Sequence, residues 1–95
     1  MPSRVQHEPQ ASRFRLEVQG QSAILDYRMV EGRMHLVHTV VPEALRNQGL
    51  AAELTEAALA HARAQGLKVV PACSYAAAFL QRHPEYATLV AASGH

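Results

Sequence analysis

Arg46-Asn47-Gln48-Gly49-Leu50-Ala51 lies between an apolar run that reads as a strand and a long run that reads as a helix. The first amides of a helix have no intrahelical acceptor, and a glycine beside them lets a ligand approach the backbone closely. A phosphate-bearing cofactor is therefore the leading expectation for this stretch. The strand, glycine turn and helix that meet here also set the pattern from which the rest of the fold is read.

Toward the N-terminus, residues 34–41 are apolar on nearly both faces and rich in β-branched side chains. That is the pattern of an inner strand covered on two sides, and Pro42 ends it because proline has no N–H to donate. Before it, Ala23, Leu25, Tyr27 and Met29 alternate with Ile24, Asp26 and Arg28, and Glu31-Gly32 predicts a hairpin. Phe14, Leu16 and Val18 alternate with Arg13, Arg15 and Glu17, a strand with one wet face that Gly20 closes. Residues 1–12 carry two prolines and no apolar period, so they are expected to fray, leaving one domain over residues 13–95.

Toward the C-terminus, Leu50, Leu54, Ala57, Ala58, His61 and Ala62 recur at helical spacing, and Gly66 supplies the stop. Residues 67–71 predict a fourth strand, and its helical crossover from the preceding strand makes the pairing parallel. Ser74 caps a second helix over residues 75–82, Pro84 breaks it, and residues 85–92 predict a short helical tail. The expected class is α/β (α+β): a mixed sheet of about four strands with antiparallel N-terminal strands, a long helix after the phosphate loop, and one or two C-terminal helices.

Ninety-five residues at 48% hydrophobic content fit one core. A net charge of +1 supplies no one-signed field for nucleic acid or a membrane surface, so neither is expected as a partner. Cys73 is the single cysteine, which excludes an internal disulfide framework. With no signal-like segment and no apolar stretch of spanning length, a reducing cytoplasm is the expected compartment.

A strand ending Val40-Val41-Pro42, followed by Arg46-x-x-Gly49-x-Ala51 at a helix start, resembles the acetyl-coenzyme A motif of the GNAT acetyltransferase superfamily. Leu36-Val37-His38-Thr39-Val40-Val41-Pro42, Pro71-Ala72-Cys73-Ser74-Tyr75 and residues 79–84 extend the resemblance to its small single-domain members, over roughly residues 14–89. The resemblance implies a minimal GNAT-like fold that binds acetyl-coenzyme A or coenzyme A. Amides of Asn47, Gln48, Gly49, Leu50 and Ala51 are expected on the pyrophosphate, and the main chain of Thr39, Val40 and Val41 along the pantetheine arm. Ser74 joins the cofactor contacts, and Arg46 either adds charge to the phosphates or is simply solvated. Two departures stand out. Longer members carry a further strand pair that walls the acceptor pocket, so the pocket here is expected to be open. Leu80 stands next to Phe79, where many members have a tyrosine that protonates the departing thiolate.

Three side chains are candidates for the chemistry. Cys73, at a strand end facing a helix N-terminus, gains from the dipole and can attack a thioester; the other reading is a small buried packing residue. Tyr75 offers a hydroxyl to the same pocket, or packs with its hydroxyl wet. By simple alternation His38 points to the side of Leu36 and Val40, at the lip of the cofactor cleft, where it is a candidate base or a satisfied structural histidine. His35 and His38, three apart on a strand, are expected on opposite faces, and no metal site is expected. The function expected is acetyl-coenzyme A-dependent N-acetyl transfer to an unidentified amine, on a small molecule or a protein, directly or through Cys73. The alternative is a non-catalytic coenzyme A or acyl-coenzyme A binding module. A plain protein-interaction domain ranks behind both, because nothing around Cys73 supports it.

Overall fold

A computed structural model of the chain describes residues 4–91. The two alternating runs form β2 (Arg13–Val18) and β3 (Gln21–Val30), and the apolar run before the glycine loop forms β4 (Arg33–Val40). Glu31 and Gly32 both have positive φ, 53° and 78°, as the two-residue turn between β3 and β4 requires. After a 3-10 turn at Glu43–Leu45, the long helix α1 (Leu50–Gln65) crosses over to β5 (Lys68–Pro71), which pairs parallel to β4. The second helix, α2 (Ser74–Arg82), and a 3-10 segment, Pro84–Leu89, follow.

The α/β class, the long helix, the C-terminal helix and the mixed sheet are as the sequence patterns predict. The sheet has five strands rather than about four, in the order 1-2-3-4-5. The added strand, β1 (Gln6–Glu8), pairs antiparallel with β2 ahead of the expected start at Arg13. His7 holds it there: its ring stacks on Phe14 at 4.3 Å between centroids, lies edge-on to His61 of α1, and its Nε2 meets the Tyr27 hydroxyl. The run is three residues long and its inward residue is a polar histidine with Val5 as its apolar neighbour in period, too short a pattern for alternation to mark a strand. The C-terminal tail is 3-10 and then extended: Val90 bridges Val69 in parallel, and Ala91 N–H donates to the Val69 carbonyl at 2.9 Å. The last residue of the expected tail, Ala92, lies outside the described residues.

One face of the sheet carries the core. Phe14, Leu16, Ala23, Leu25, Tyr27, Met34, Leu36 and Val69 meet Leu50, Leu54, Ala58, Leu59 and Ala62 of α1, with Ala76 and Phe79 of α2. The small residues Ala58 and Ala62 let the helix approach the strands closely. Thr55, the buried polar side chain of α1, returns its hydroxyl to the Ala51 carbonyl at 2.8 Å and so leaves no orphan donor. Among the described residues no helix packs on the opposite face, which corrects the expectation of an inner strand sheltered on two sides. Both helices pack on the same face, and Val37 and Val40 of β4 are 38% and 41% exposed. On α2, Ala76 and Phe79 are the buried residues.

Leu36 is fully buried at the point where β4 last pairs with β5. Leu36→Ala is expected to lower unfolding free energy by about 2–5 kcal/mol in urea denaturation, the range for truncating a core leucine. A loss under ~1 kcal/mol would mean that the core does not close over this strand.

Candidate functional site

The loop before α1 turns on two residues in the left-handed region, Asn47 at φ 68° and Gly49 at φ 75°, with Gln48 between them at negative φ. Alternation of this kind gathers successive N–H groups into a concave seat for an anion. Among the described residues, the amides of Asn47, Gln48, Gly49, Leu50, Ala51 and Ala52 donate to no protein acceptor. Gly49 caps α1, and its carbonyl accepts the first helical bond, from Glu53 N–H at 3.0 Å. A side chain at Gly49 would project into open space, so nothing of the protein occupies that side of the loop. The glycine serves the backbone conformation and leaves room for close approach of a ligand.

The second component is a split in the sheet. β4 pairs with β3 as far as Val40, opposite Ile24, but with β5 only as far as Leu36, opposite Pro71. At the fork, the Cys73 N–H donates to the Leu36 carbonyl at 2.8 Å and directs the chain into α2. Beyond it, among the described residues, the edge of β4 away from β3 faces no strand from Val37 to Val40. A cleft fills this space. One lobe, of roughly 250 Å³, lies against Asn47, Gly49, Leu50 and Ala51; the other, of roughly 370 Å³, lies against Thr39, Val40 and Val41. Val41, Arg46, Ala51 and Tyr75 line both, so the amide seat and the open strand edge belong to one continuous space.

A β-bulge decides which β4 side chains enter it. Asp26 opposes His38 and Tyr27 opposes Leu36, so Val37 has no partner and the alternation of β4 shifts by one residue. Thr39, paired with the buried Leu25, therefore faces inward, and its Oγ1 lies 3.6 Å from the Cys73 Sγ. His38 is turned to the uncovered face beside Asp26 and is exposed; it keeps a side with Val40 but not with Leu36, which corrects the expectation that all three share one. The same shift puts His35 and His38 on one face rather than on opposite ones. Thr39 was expected to contribute main chain only. The one signal for its side-chain role is the spacing of the polar residues Arg33, His35 and His38, which steps by two and then by three and so breaks a regular strand.

Cys73, not Ser74, is the N-cap of α2, and Ser74 is its first helical residue. Burial alone would push the Cys73 thiol up. The backbone of Ala76, the Thr39 hydroxyl and the backbones of Tyr75 and Thr39 together outweigh it and hold the thiol below its ordinary value. The helix amides act here by pointing at the sulfur: no side-chain capping bond of full hydrogen-bond geometry forms, so their effect is that of oriented dipoles. Burial pushes the Tyr75 hydroxyl further above its ordinary value. Arg46 is exposed and reaches back to the Val41 carbonyl at 3.5 Å, leaving its charge at the mouth of both lobes. The structure thus brings together Thr39, Val40, Val41, Arg46, Asn47, Gly49, Leu50, Ala51, Cys73 and Tyr75, and leaves His38 apart. Among the described residues, no group of three or more His, Cys, Asp or Glu is placed to hold a metal.

A strand thus parts from its parallel neighbour beside a glycine loop with free amides. Residues 13–89 match the family described as GCN5-related N-acetyl-transferase. The chain is 35% identical over 86 residues to Protein NATD1 of Mus musculus, covering 87% of this chain and 78% of that protein. It is 34% identical to Protein NATD1 of Homo sapiens over 86 residues, 87% of this chain and 76% of that one. A GCN5-like protein of Staphylococcus aureus, solved in solution by NMR, superposes with a TM-score of 0.74 at 25% identity, covering 100% of this chain and 95% of that one. The chain belongs to the GCN5-related N-acetyltransferase family.

The thiol gives a direct test of the site. Because the fold favours the Cys73 thiolate over the unfolded chain, this group adds stability above the ordinary thiol pKa, and that contribution fades as pH falls through the lowered folded value. Iodoacetamide alkylation followed against pH is expected to show a lower midpoint in native protein than in urea. Thr39→Val is expected to move the native midpoint upward, and Thr39→Ser to restore it. Identical midpoints in native and unfolded protein would remove the assigned environment.

Proposed function

We propose that this protein is an acetyl-coenzyme A-dependent N-acetyltransferase acting on an amine of a small molecule or a protein in the cytoplasm. The observation that carries the reading is the continuity of the amide seat at residues 47–52 with the unpaired edge of β4. A diphosphate needs several converging donors, and the loop and first turn of α1 supply them together with the Arg46 charge. A pantetheine arm carries amides, which the open main chain of Thr39, Val40 and Val41 is suited to pair as a neighbouring strand does. When bound, acetyl-coenzyme A supplies an acetyl group activated as a thioester.

The chain's own groups then have separate tasks. Thr39 and the start of α2 favour the thiolate of Cys73, the form that is nucleophilic. Moving an acetyl group onto that sulfur exchanges one thioester for another and needs no outside oxidant or reductant. Tyr75 lines both lobes and its hydroxyl is a candidate proton donor there, and Ser74 sits beside it at the entrance of α2. Direct transfer to an amine held at the split needs mainly proximity. The second reading, a module that holds coenzyme A or an acyl form without turnover, draws on the family resemblance, which implies a tyrosine where Leu80 stands, and on the exposed His38, which is turned to the uncovered face.

Calorimetric titration with acetyl-coenzyme A is expected to give saturable binding. Gly49→Ala tests backbone strain alone, because its methyl meets nothing; Gly49→Asp adds a carboxylate at the seat and is expected to weaken binding at least ~tenfold beyond the alanine variant, about 1.4 kcal/mol. Absence of heat with wild-type protein at high micromolar cofactor defeats both readings. Intact-mass measurement after incubation with labelled acetyl-coenzyme A separates the routes: an adduct of one acetyl group that disappears in Cys73→Ala supports the covalent path, and unchanged turnover in that variant leaves direct transfer.

A further inference from the structure

The uncovered face of the sheet is ordered in rows. Cross-strand register places Val30, Arg33 and Lys68 in one row, Arg28, His35 and Val70 in the next, and Asp26 with His38 in a third, adjoining the split. The third row is neutralised, since Arg13 Nε meets Asp26 Oδ1 at 2.7 Å. Arg15 likewise pairs with Glu8 and Glu17. The first two rows are not. Arg33 lies directly opposite Lys68 and Arg28 directly opposite His35, arrangements that cost stability in a sheet when they carry like charge. Among the described residues, no carboxylate comes within ion-pair distance of Arg28, Arg33 or Lys68; the Lys68 ammonium donates instead to the Thr88 carbonyl at 2.6 Å. A sheet that pairs its arginines on one half of a face and opposes cations on the other departs from local stability, and such departures mark surfaces kept for recognition.

We propose that Arg28, Arg33, His35 and Lys68 form the docking surface for an acidic segment of a protein acceptor, which lies extended across the uncovered face with its amine toward the split. The docking itself stands on the charge pattern; delivery of an amine rests on the transferase reading above. Val40, on the uncovered face, lines the same lobe as Thr39, on the covered face, so the split is reachable from the side on which the cations lie. Successive rows are ~7 Å apart, which puts the carboxylates about two to four extended residues from the amine. The chemistry favours an acidic peptide over nucleic acid. The chain's net charge is only +1, too weak a field to gather a phosphate backbone, and Val30 and Val70 offer apolar contacts between the cations that peptide side chains can use.

The test uses the full chain without cofactor. A fluorescently labelled peptide with one lysine and a run of glutamates a few residues away is titrated by anisotropy in low salt and again at roughly 300 mM, where the Debye length falls below ~8 Å. Saturable binding is expected at low salt, weakened at least ~tenfold by salt and at least ~tenfold in the double variant Arg28→Gln/Arg33→Gln, both exposed positions whose folding is checked by circular dichroism. The double variant is expected to retain the calorimetric affinity for acetyl-coenzyme A of the parent. Peptide binding without cofactor binding upholds the docking surface and sinks the transferase reading instead. No saturable peptide binding at low salt, or binding undiminished in the double variant, overturns the proposal. So does an oligonucleotide of equal charge that binds more tightly, or concentration-dependent dimerisation abolished by the same double variant, which assigns the face to a second copy of the chain.

Discussion

The architecture turns on a place where hydrogen bonding stops. β4 keeps its ladder to β3 through Val40 but loses its ladder to β5 after Leu36, and the Cys73 amide closes the fork. Unpaired strand edges are costly in a core and hazardous on a surface, so a sheet that leaves four residues of a strand inside the fold without a partner on one side has reserved that backbone for something else. The position of α2 follows directly. Because the chain leaves β5 at the fork, the helix begins beside the gap and directs its first amides into it. The crossover through α1 has the same consequence at the other end, since a right-handed connection brings the helix start above the end of the strand it leaves.

Two helix N-termini therefore face one cleft, and they do different work. The start of α1 has free amides and no side chain in their way, which suits a spread-out anion. The start of α2 points its amides at a single sulfur, which suits a thiolate. The same physics of oriented peptide dipoles serves both, and the difference lies in what stands at the cap: Gly49 leaves its seat empty, whereas Cys73 fills it with its own atom. Loss of solvent works against the thiolate, and only the combination of Thr39 with the helix backbone reverses the balance. A cysteine at this cap without the inward-facing threonine would be a poorer nucleophile in the same place.

The sequence made much of this legible, for identifiable reasons. The period-two runs of β2 and β3, the Glu31-Gly32 turn, the helical spacing of α1 and the stop at Gly66 are local signals, and each names its own element. The glycine loop was legible as an anion seat because the need for positive φ and for free amides are both properties of a few adjacent residues. Two features were hidden because they depend on residues far apart in sequence. β1 exists because His7 finds Phe14, Tyr27 and His61 together, and the facing of β4 changes because β3 opposes two residues with one. Simple alternation put His38 in the cleft and passed over the side chain of Thr39; a single unpartnered valine reversed that.

That valine also matters before the molecule is complete. With the tight turn fixing one end of the β3–β4 hairpin, the half of β4 near the turn buries Met34 and Leu36, and the far half turns the half-buried Thr39 inward opposite Leu25. A slide of the strands by one position would turn the first set outward while bringing the second to the wrong depth, so no shifted alignment satisfies both halves. The odd residue works as a ratchet tooth: misaligned hairpins gain nothing from collapse, and the nascent chain has a single arrangement on which the long helix can settle.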